Sequence, residues 1–329
     1  MQAPRFWQRG GSRLVPALLM PLSVLTAAAT ARRVARPGWR APVPVLCCGN
    51  VTVGGSGKTT LALDLLGRLA AAGATPHALL RGYGGSAEGV RLVAPADDVA
   101  ETGDEALLLA QVAPTWIGGD RAATARAAVA AGAAVLVLDD GLQNPTLHKD
   151  LSLLVIDGGF GFGNGRLLPA GPLREPVAAG AARCQAAVLI GPDEAGAAAA
   201  LPPGLPVLHA RLVPGPATRA LRGRRVLAFA GIGRPAKFFA TLREAGAAVV
   251  GEVAFADHHR FTAGELAGLL ARAEQAGAVP ATTAKDAVRL PAAVRGQIAV
   301  ADVSLEWQMP DAIAALLNAL LAKGRASTD

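Results

Sequence analysis

Short runs built almost wholly of apolar residues recur through the first half of the chain, near 43–48, 75–80, 134–139 and 151–156. Each is bounded by proline, glycine or polar residues, and runs of that length read as strands buried on both faces. Between them, 59–72, 104–112 and 120–131 carry helical spacing, and Leu61, Leu65, Leu66 and Leu69 share one stripe of the first. Strands that alternate with helices predict a parallel sheet with right-handed crossovers. Ligands bind at the carboxyl ends of such strands, where Gly54, Asp139 and Asp157 emerge. The glycine-rich stretch 158–171 is too long and irregular for a simple turn and reads as a functional loop. A Pro/Gly-rich segment at 202–223 predicts a domain boundary. Beyond it, 225–230, 248–255 and 298–303 read as strands of a second, smaller α/β lobe. The expected divisions are 1–40, 41–215 and 216–329.

The first forty residues follow a different pattern. Eighteen uncharged, mostly apolar residues (14–31, LVPALLMPLSVLTAAATA) lie between Arg13 and Arg32. As a helix they span roughly 27 Å, barely the hydrocarbon thickness of a bilayer. Pro16 and Pro21 are expected to interrupt that helix, and its second half is alanine and threonine rather than leucine. The favoured expectation is a membrane-interfacial helix that lies on the surface, monotopic or peripheral. A true span, a core-packed helix and a secretory signal are the rivals.

Charge sharpens this picture. The 329 residues carry a formal net charge of +7. Seven arginines (5, 9, 13, 32, 33, 36, 40) fall in the first forty residues, and the first acid is Asp64. The remaining 25 basic and 25 acidic side chains balance. The excess therefore belongs to an arm suited to anionic headgroups, each Arg worth about 1 kcal/mol there at best. With aromatics at 4% and no basic face interleaved with them, nucleic acid is excluded as the expected partner. No obligate protein partner is implied. Three cysteines, two adjacent at Cys47 and Cys48, make neither a disulfide framework nor a metal spacing, and read as buried reduced thiols of a cytosolic protein.

The chemistry begins after the first strand. Pro42–Cys48 is followed by GNVTVGGSGKTTLALDLL: a strand, a glycine-rich turn ending in Gly-Lys-Thr, then a helix. That context is what a phosphate loop requires. Residues Thr52, Val53, Gly54, Gly55, Ser56, Gly57, Lys58 and Thr59 form it. The glycines let backbone N–H groups converge on phosphate oxygens, Lys58 reaches the β- and γ-phosphates, and the Thr59 hydroxyl ligates Mg²⁺. Thr52 stands where the pattern usually begins with glycine. The run Ala133–Leu138 ends in Asp139–Asp140, the form of a second nucleotide-site strand whose carboxylate holds the metal. The Asn-Lys-x-Asp element that reads guanine is not matched by Thr283-Ala-Lys285-Asp286, whose spacing is wrong. The reading is an ATP-dependent P-loop enzyme. A P-loop kinase or ligase on another substrate, and an ATPase that serves as metallochaperone or assembly factor, are the alternatives.

A series of motifs then carries a resemblance. GNVTVGGSGKT, RGYGG at 81–85, GDEALLLA at 103–110, GGDR at 118–121, DDGLQN at 139–144, PAGPLREP at 169–176 and FADHHRF at 255–261 occur in one order. Together they resemble the tetraacyldisaccharide 4′-kinase family over essentially the whole chain. The resemblance implies a P-loop α/β domain with a smaller α/β lobe and a cleft that closes on nucleotide. It implies transfer of the γ-phosphate of ATP, with Mg²⁺, to the 4′-hydroxyl of an acylated glucosamine disaccharide 1-phosphate. The product is lipid IVA in lipid A biosynthesis, made at the cytoplasmic face of the bacterial inner membrane.

Individual residues gain roles from it. Asp104, by position an N-terminal helix carboxylate favoured by the dipole, becomes the expected catalytic base. His258, with Asp257 nearby, is expected to partner Asp104. A solvated loop histidine is the plain alternative, and His259 the neighbouring one. Their place on the second lobe implies closure before chemistry. Glu105, Asp139 and Asp140, with Thr59, are expected to face the metal. Arg81, Arg121 and Arg174 are candidate phosphate contacts, to ATP or to the lipid 1-phosphate, with ordinary surface ion pairs as the other reading. Gln143 is expected to orient groups in the site.

Overall fold

The structure is a computed structural model that describes residues 4–325. The chain forms two compact units, one made of Leu212–Leu305 and the other of the remaining described residues. In chain order the strands are β1 (Val45–Gly49), β2 (Pro76–Leu80), β3 (Arg91–Val93), β4 (Thr115–Ile117), β5 (Val135–Asp139), β6 (Leu151–Asp157), β7 (Ala186–Ile190) and β8 (Val207–Pro214). They continue as β9 (Arg225–Ala230), β10 (Ala248–Ala254), β11 (Val279–Thr283), β12 (Ala299–Ala301) and β13 (Val303–Trp307).

The larger sheet has the order β13-β8-β7-β6-β1-β5-β2-β4-β3. From β8 to β4 the strand pairings are parallel, and β3 closes one edge antiparallel to β4. Every residue of β1, β2, β5 and β7 is buried, as their continuous apolar runs require of a sheet covered on both faces. The helix Lys58–Ala71 lays Leu61, Leu65, Leu66 and Leu69 into the core, the stripe read from spacing. The register sets Cys48 of β1 beside Asp139 of β5. After β5 the chain passes to the other side of β1, so the strand order reverses there and opens a crevice at the carboxyl ends.

Two features depart from expectation. Residues 306–325, expected with the smaller lobe, group with the larger unit. The Trp307 indole donates to Asp64 (3.0 Å) on the helix Lys58–Ala71, and Ile313, Leu317 and Leu320 of the last helix are buried. The second departure is an uninterrupted N-terminal helix, Leu14–Val34, which runs through both prolines. Pro16 sits in the first turn, where an N–H is unpaired anyway; Pro21 removes a single bond, that to the Ala17 carbonyl.

The smaller unit is a four-stranded parallel sheet, β10-β9-β11-β12. Its central strand β11 was absent from the sequence expectation, because Val-Pro-Ala-Thr-Thr is too polar and too short to register as an apolar run. Phe229, Phe261, Leu266 and Leu269 fill one side of the sheet, while Phe238, Phe239 and Leu242 fill the other.

Candidate active site

The phosphate loop leaves β1 at Gly49 and returns as the helix Lys58–Ala71. Gly57 caps that helix at φ +88°, where a Cβ would also stand 2.8 Å from Ile190 Cδ1, so only glycine closes the turn. Beneath the loop lies Asn50, which sequence reasoning missed. Its buried amide donates to Thr52 Oγ1 (3.1 Å) and Ser56 Oγ (3.0 Å), tying the two ends of the loop. This explains the Thr52 departure: the hydroxyl supplies an acceptor that a glycine lacks.

Two carboxylates emerge from β5 with different electrostatics. Asp139 is buried, and its Oδ2 accepts from the Thr59 hydroxyl (2.8 Å). Its Oδ1 is buried with no hydrogen-bond partner. Burial, together with the charge of Glu105, pushes Asp139 up to about 7. Asp140 sits at φ +56°, its amide donating to the Cys48 carbonyl (3.0 Å). Desolvation works against its charge, but Lys58 (Nζ to Oδ1, 3.8 Å) and Arg174 hold it below the usual carboxylate value. Arg174 grips it with both ends of the guanidinium, at 2.8 and 2.9 Å.

From Arg174 a buried network runs inward. Gln143 Oε1 accepts from Arg174 (3.3 Å), while its Nε2 donates to the Asn50 carbonyl (2.8 Å) and to Glu175 (2.7 Å). Glu175, 3% exposed, also accepts from Arg183 (2.6 Å). Glu175 was not singled out from sequence; its adjacency to Arg174 in PAGPLREP was the available signal. The network links the phosphate loop, the β5 carboxylates and the strap 172–174, which is itself bonded to the loop by Val53 N–H to Pro172 O (2.8 Å) and Arg174 N–H to Val51 O (2.7 Å).

Asp104 is 4% exposed at the start of the helix Asp104–Ala110 and accepts from the Glu105 N–H (2.9 Å). Gly103 before it has φ +84°, and a Cβ there would meet the Tyr83 carbonyl at 2.5 Å; the RGYGG turn and the Asp104 turn are packed backbone to backbone. Arg81 lines a cavity of about 440 Å³ with Gly82–Gly85 and Gly119. Arg121, a candidate phosphate contact with a surface ion pair as the other reading, is found buried. It is 3% exposed and donates to the Gly118 carbonyl, and burial together with the charge of Arg81 pulls it down to about 10.

Within the smaller unit, the Asp257–His259 turn separates the two histidines by role. His259 stacks on Phe255 (centroids 4.7 Å) and meets Glu265 at 3.1 Å, so packing fixes it. His258 is the residue at φ +60°, half-exposed, with Nε2 3.8 Å from Asp257 Oδ2. A side chain presented on strained backbone while its neighbour anchors the turn favours His258 as the functional one.

Among the described residues no three His, Cys, Asp or Glu side chains converge as a self-sufficient metal cage. The donor set instead suits Mg²⁺ carried in with a triphosphate, which takes one or two carboxylates and completes its shell with phosphate and water. The unpartnered Asp139 Oδ1 beside the Thr59 hydroxyl is the observation that fits.

Comparison with known proteins agrees with this geometry. Residues 15–322 match the LpxK family, described as tetraacyldisaccharide-1-P 4′-kinase. A tetraacyldisaccharide 4′-kinase of Gluconacetobacter diazotrophicus is 57% identical over 324 residues, covering 98% of this chain and 99% of its own. One from Rhodospirillum centenum is 57% identical over 329 residues, covering 98% and 97%. A crystal structure of "apo" form LpxK from Aquifex aeolicus in complex with ATP superimposes with a TM-score of 0.76 at 26% identity, covering 94% of this chain and 100% of its own.

Proposed function

The chain belongs to the tetraacyldisaccharide-1-P 4′-kinase family, and we propose that it transfers the γ-phosphate of ATP to the 4′-hydroxyl of an acylated glucosamine disaccharide 1-phosphate at a membrane surface. The observation that carries the reading is the junction of Lys58, Thr59, Asp139 and Asp140 at the carboxyl ends of β1 and β5. Lys58 and the loop amides receive the phosphates; Thr59 and Asp139 are the residues that would hold Mg²⁺, with Asp140 and Glu105 adding charge nearby. The cation, when bound, neutralises charge on the β- and γ-phosphates. Arg174 and Lys58 both lie on Asp140, so they are already gathered where a phosphate would exchange with that carboxylate. Asp104 takes the proton of the attacking hydroxyl. The transfer is loose and dominated by positioning, so its chief task is to orient that oxygen. His258, with Asp257 beside it, is the proposed functional histidine of the smaller unit.

The N-terminal helix supports the surface location. Among its described contacts the polar side chains face inward: Ser23 Oγ donates to the Leu167 carbonyl (2.9 Å), and Thr26 donates to Leu168. The apolar side chains face out, with Leu14 77%, Leu18 81% and Leu25 67% exposed. The glycine-rich stretch 158–171 is the cradle: Asn164 donates to the Phe6 carbonyl (2.9 Å), and Trp7 donates to Pro169 O (3.2 Å). An inverted helix of this kind leaves its leucines for lipid. Since ATP is cytosolic, the proposed location is the cytoplasmic face of the inner membrane, held peripherally.

The test is incubation of purified protein with ATP, Mg²⁺ and the acylated disaccharide 1-phosphate. Phosphorylated lipid that disappears with Lys58→Ala is the expected result. ATP hydrolysis indifferent to the acceptor would sink the proposal. Leu18→Glu with Leu25→Glu should lower partition into vesicles while leaving ATP binding intact.

A further inference from the structure

A cavity of the larger unit lies at the foot of the outward-apolar helix, with no phosphate-loop residue in its lining. It encloses about 600 Å³, within the range of ligand pockets. Arg9, Arg13 and Arg166 line it, with Ser12 between the first two and Phe162 and Leu173 among its apolar walls. No carboxylate is among the lining residues, so three arginines line one concavity whose walls supply no acidic residue. Arg166 is anchored at its backbone by Asn164 (3.0 Å) and over Met20 by its guanidinium (3.0 Å to Sδ), which aligns it with the helix. The first turn of the 21-residue helix Leu14–Val34 rims the cavity through Pro16, and its dipole adds positive potential. The same turns present Leu14 and Leu18 to the outside.

Charge and apolar surface therefore meet at one place, and the ligand that satisfies both is an amphiphile with an anionic head. We propose that this cavity binds the phosphate of a lipid headgroup, whose chains continue along the exposed leucines into the bilayer. The inference rests on the membrane-surface reading given above. Arginine forks match phosphate oxygens bidentately. Arg174, one of the arginines expected to hold the lipid phosphate, is engaged by Asp140, and Arg121 is buried against Gly118. The strap residue Leu173 lines the cavity while its neighbour Arg174 reaches Asp140, so one segment faces both sites.

Two sources carry this chemistry, a bulk anionic phospholipid and the 1-phosphate of the acceptor, and the experiment separates them. Monomeric short-chain phosphatidic acid is titrated calorimetrically into the full-length protein, the triple variant Arg9→Gln/Arg13→Gln/Arg166→Gln and the charge-matched Arg32→Gln/Arg33→Gln/Arg36→Gln. In parallel, KM for the acylated disaccharide 1-phosphate is measured in phospholipid-free detergent micelles. Loss of charge-assisted hydrogen bonds predicts at least tenfold weakening in the cavity variant and little change in the control. A rise confined to the acceptor KM assigns the site to the substrate's own phosphate; lost phosphatidic acid binding with an unchanged KM assigns it to membrane phospholipid. Equal effects of the two triples, or no effect on either readout, overturn the inference. A protein that lacks kinase activity but still binds phosphatidic acid through these arginines refutes the kinase reading and leaves the cavity standing.

Discussion

Arg289→Met probes the one charged pair buried completely in the smaller unit's described residues. Arg289 and Asp286 meet at 2.9 Å, with side chains 2% and 0% exposed. Asp286 also accepts from the Gly231 N–H (3.1 Å) and the Thr283 hydroxyl (2.7 Å), and Arg289 donates to the Gly231 carbonyl (2.9 Å). That same carbonyl accepts from the His258 N–H (3.0 Å), so the pair clamps the backbone on which the His258 turn rests. Removal of the guanidinium leaves a carboxylate buried without its cation, which costs about 3–5 kcal/mol. A typical domain has only about 5–15 kcal/mol in hand.

The pH dependence gives the sign. Burial already raises the Asp286 pKa, partly countered by the Thr283 hydroxyl, Arg289 and the Gly231 amide. Without Arg289 it rises further. A raised folded pKa means stability that is complete below the unfolded value near 4 and lost as pH rises through the folded value. The variant's deficit should therefore be smaller at pH 5 than at pH 8, and smallest below pH 4. All four tryptophans (7, 39, 116, 307) lie outside Leu212–Leu305, so fluorescence is blind to this unit. Hydrogen exchange of peptides from β9 and β11, followed by mass spectrometry, reads it directly. Addition of Asp286→Asn should restore most of the loss, since no charge is then stranded. A deficit below about 1 kcal/mol, or one equal at both pH values, would refute the reasoning.

Three further outcomes are expected. Asp104→Ala should reduce turnover by about 10²-fold or more while ATP still binds, measured by initial rates and nucleotide titration; an unchanged rate removes Asp104 as base. His258→Ala should lower kcat with little change in unfolding, whereas His259→Ala, which loses the Phe255 stack and the Glu265 contact, should mainly loosen the 255–265 segment in hydrogen exchange. Cys47 and Cys184, whose thiols burial pushes up to about 11 and about 12, should resist iodoacetamide at pH 8 in the native protein and react only on unfolding, scored by intact mass.

Local chemistry settled much of this protein before any coordinates. A buried strand, a glycine turn and a helix stripe are written within thirty consecutive residues, because a phosphate loop needs only its own neighbours to form. The same holds for β5 and its terminal acids. The apolar N-terminal segment was legible, but its continuity through Pro21 was not, since helix loss at one proline is decided by what packs against the rest. What tertiary structure alone decided are the long-range pairings: Arg174 on Asp140, Gln143 between Asn50 and Glu175, and His259 rather than His258 locked into packing. A charged side chain read in sequence has no partner. Its role is set by the field of groups that arrive from other strands, which is why the burial of Arg121 could not be read in sequence.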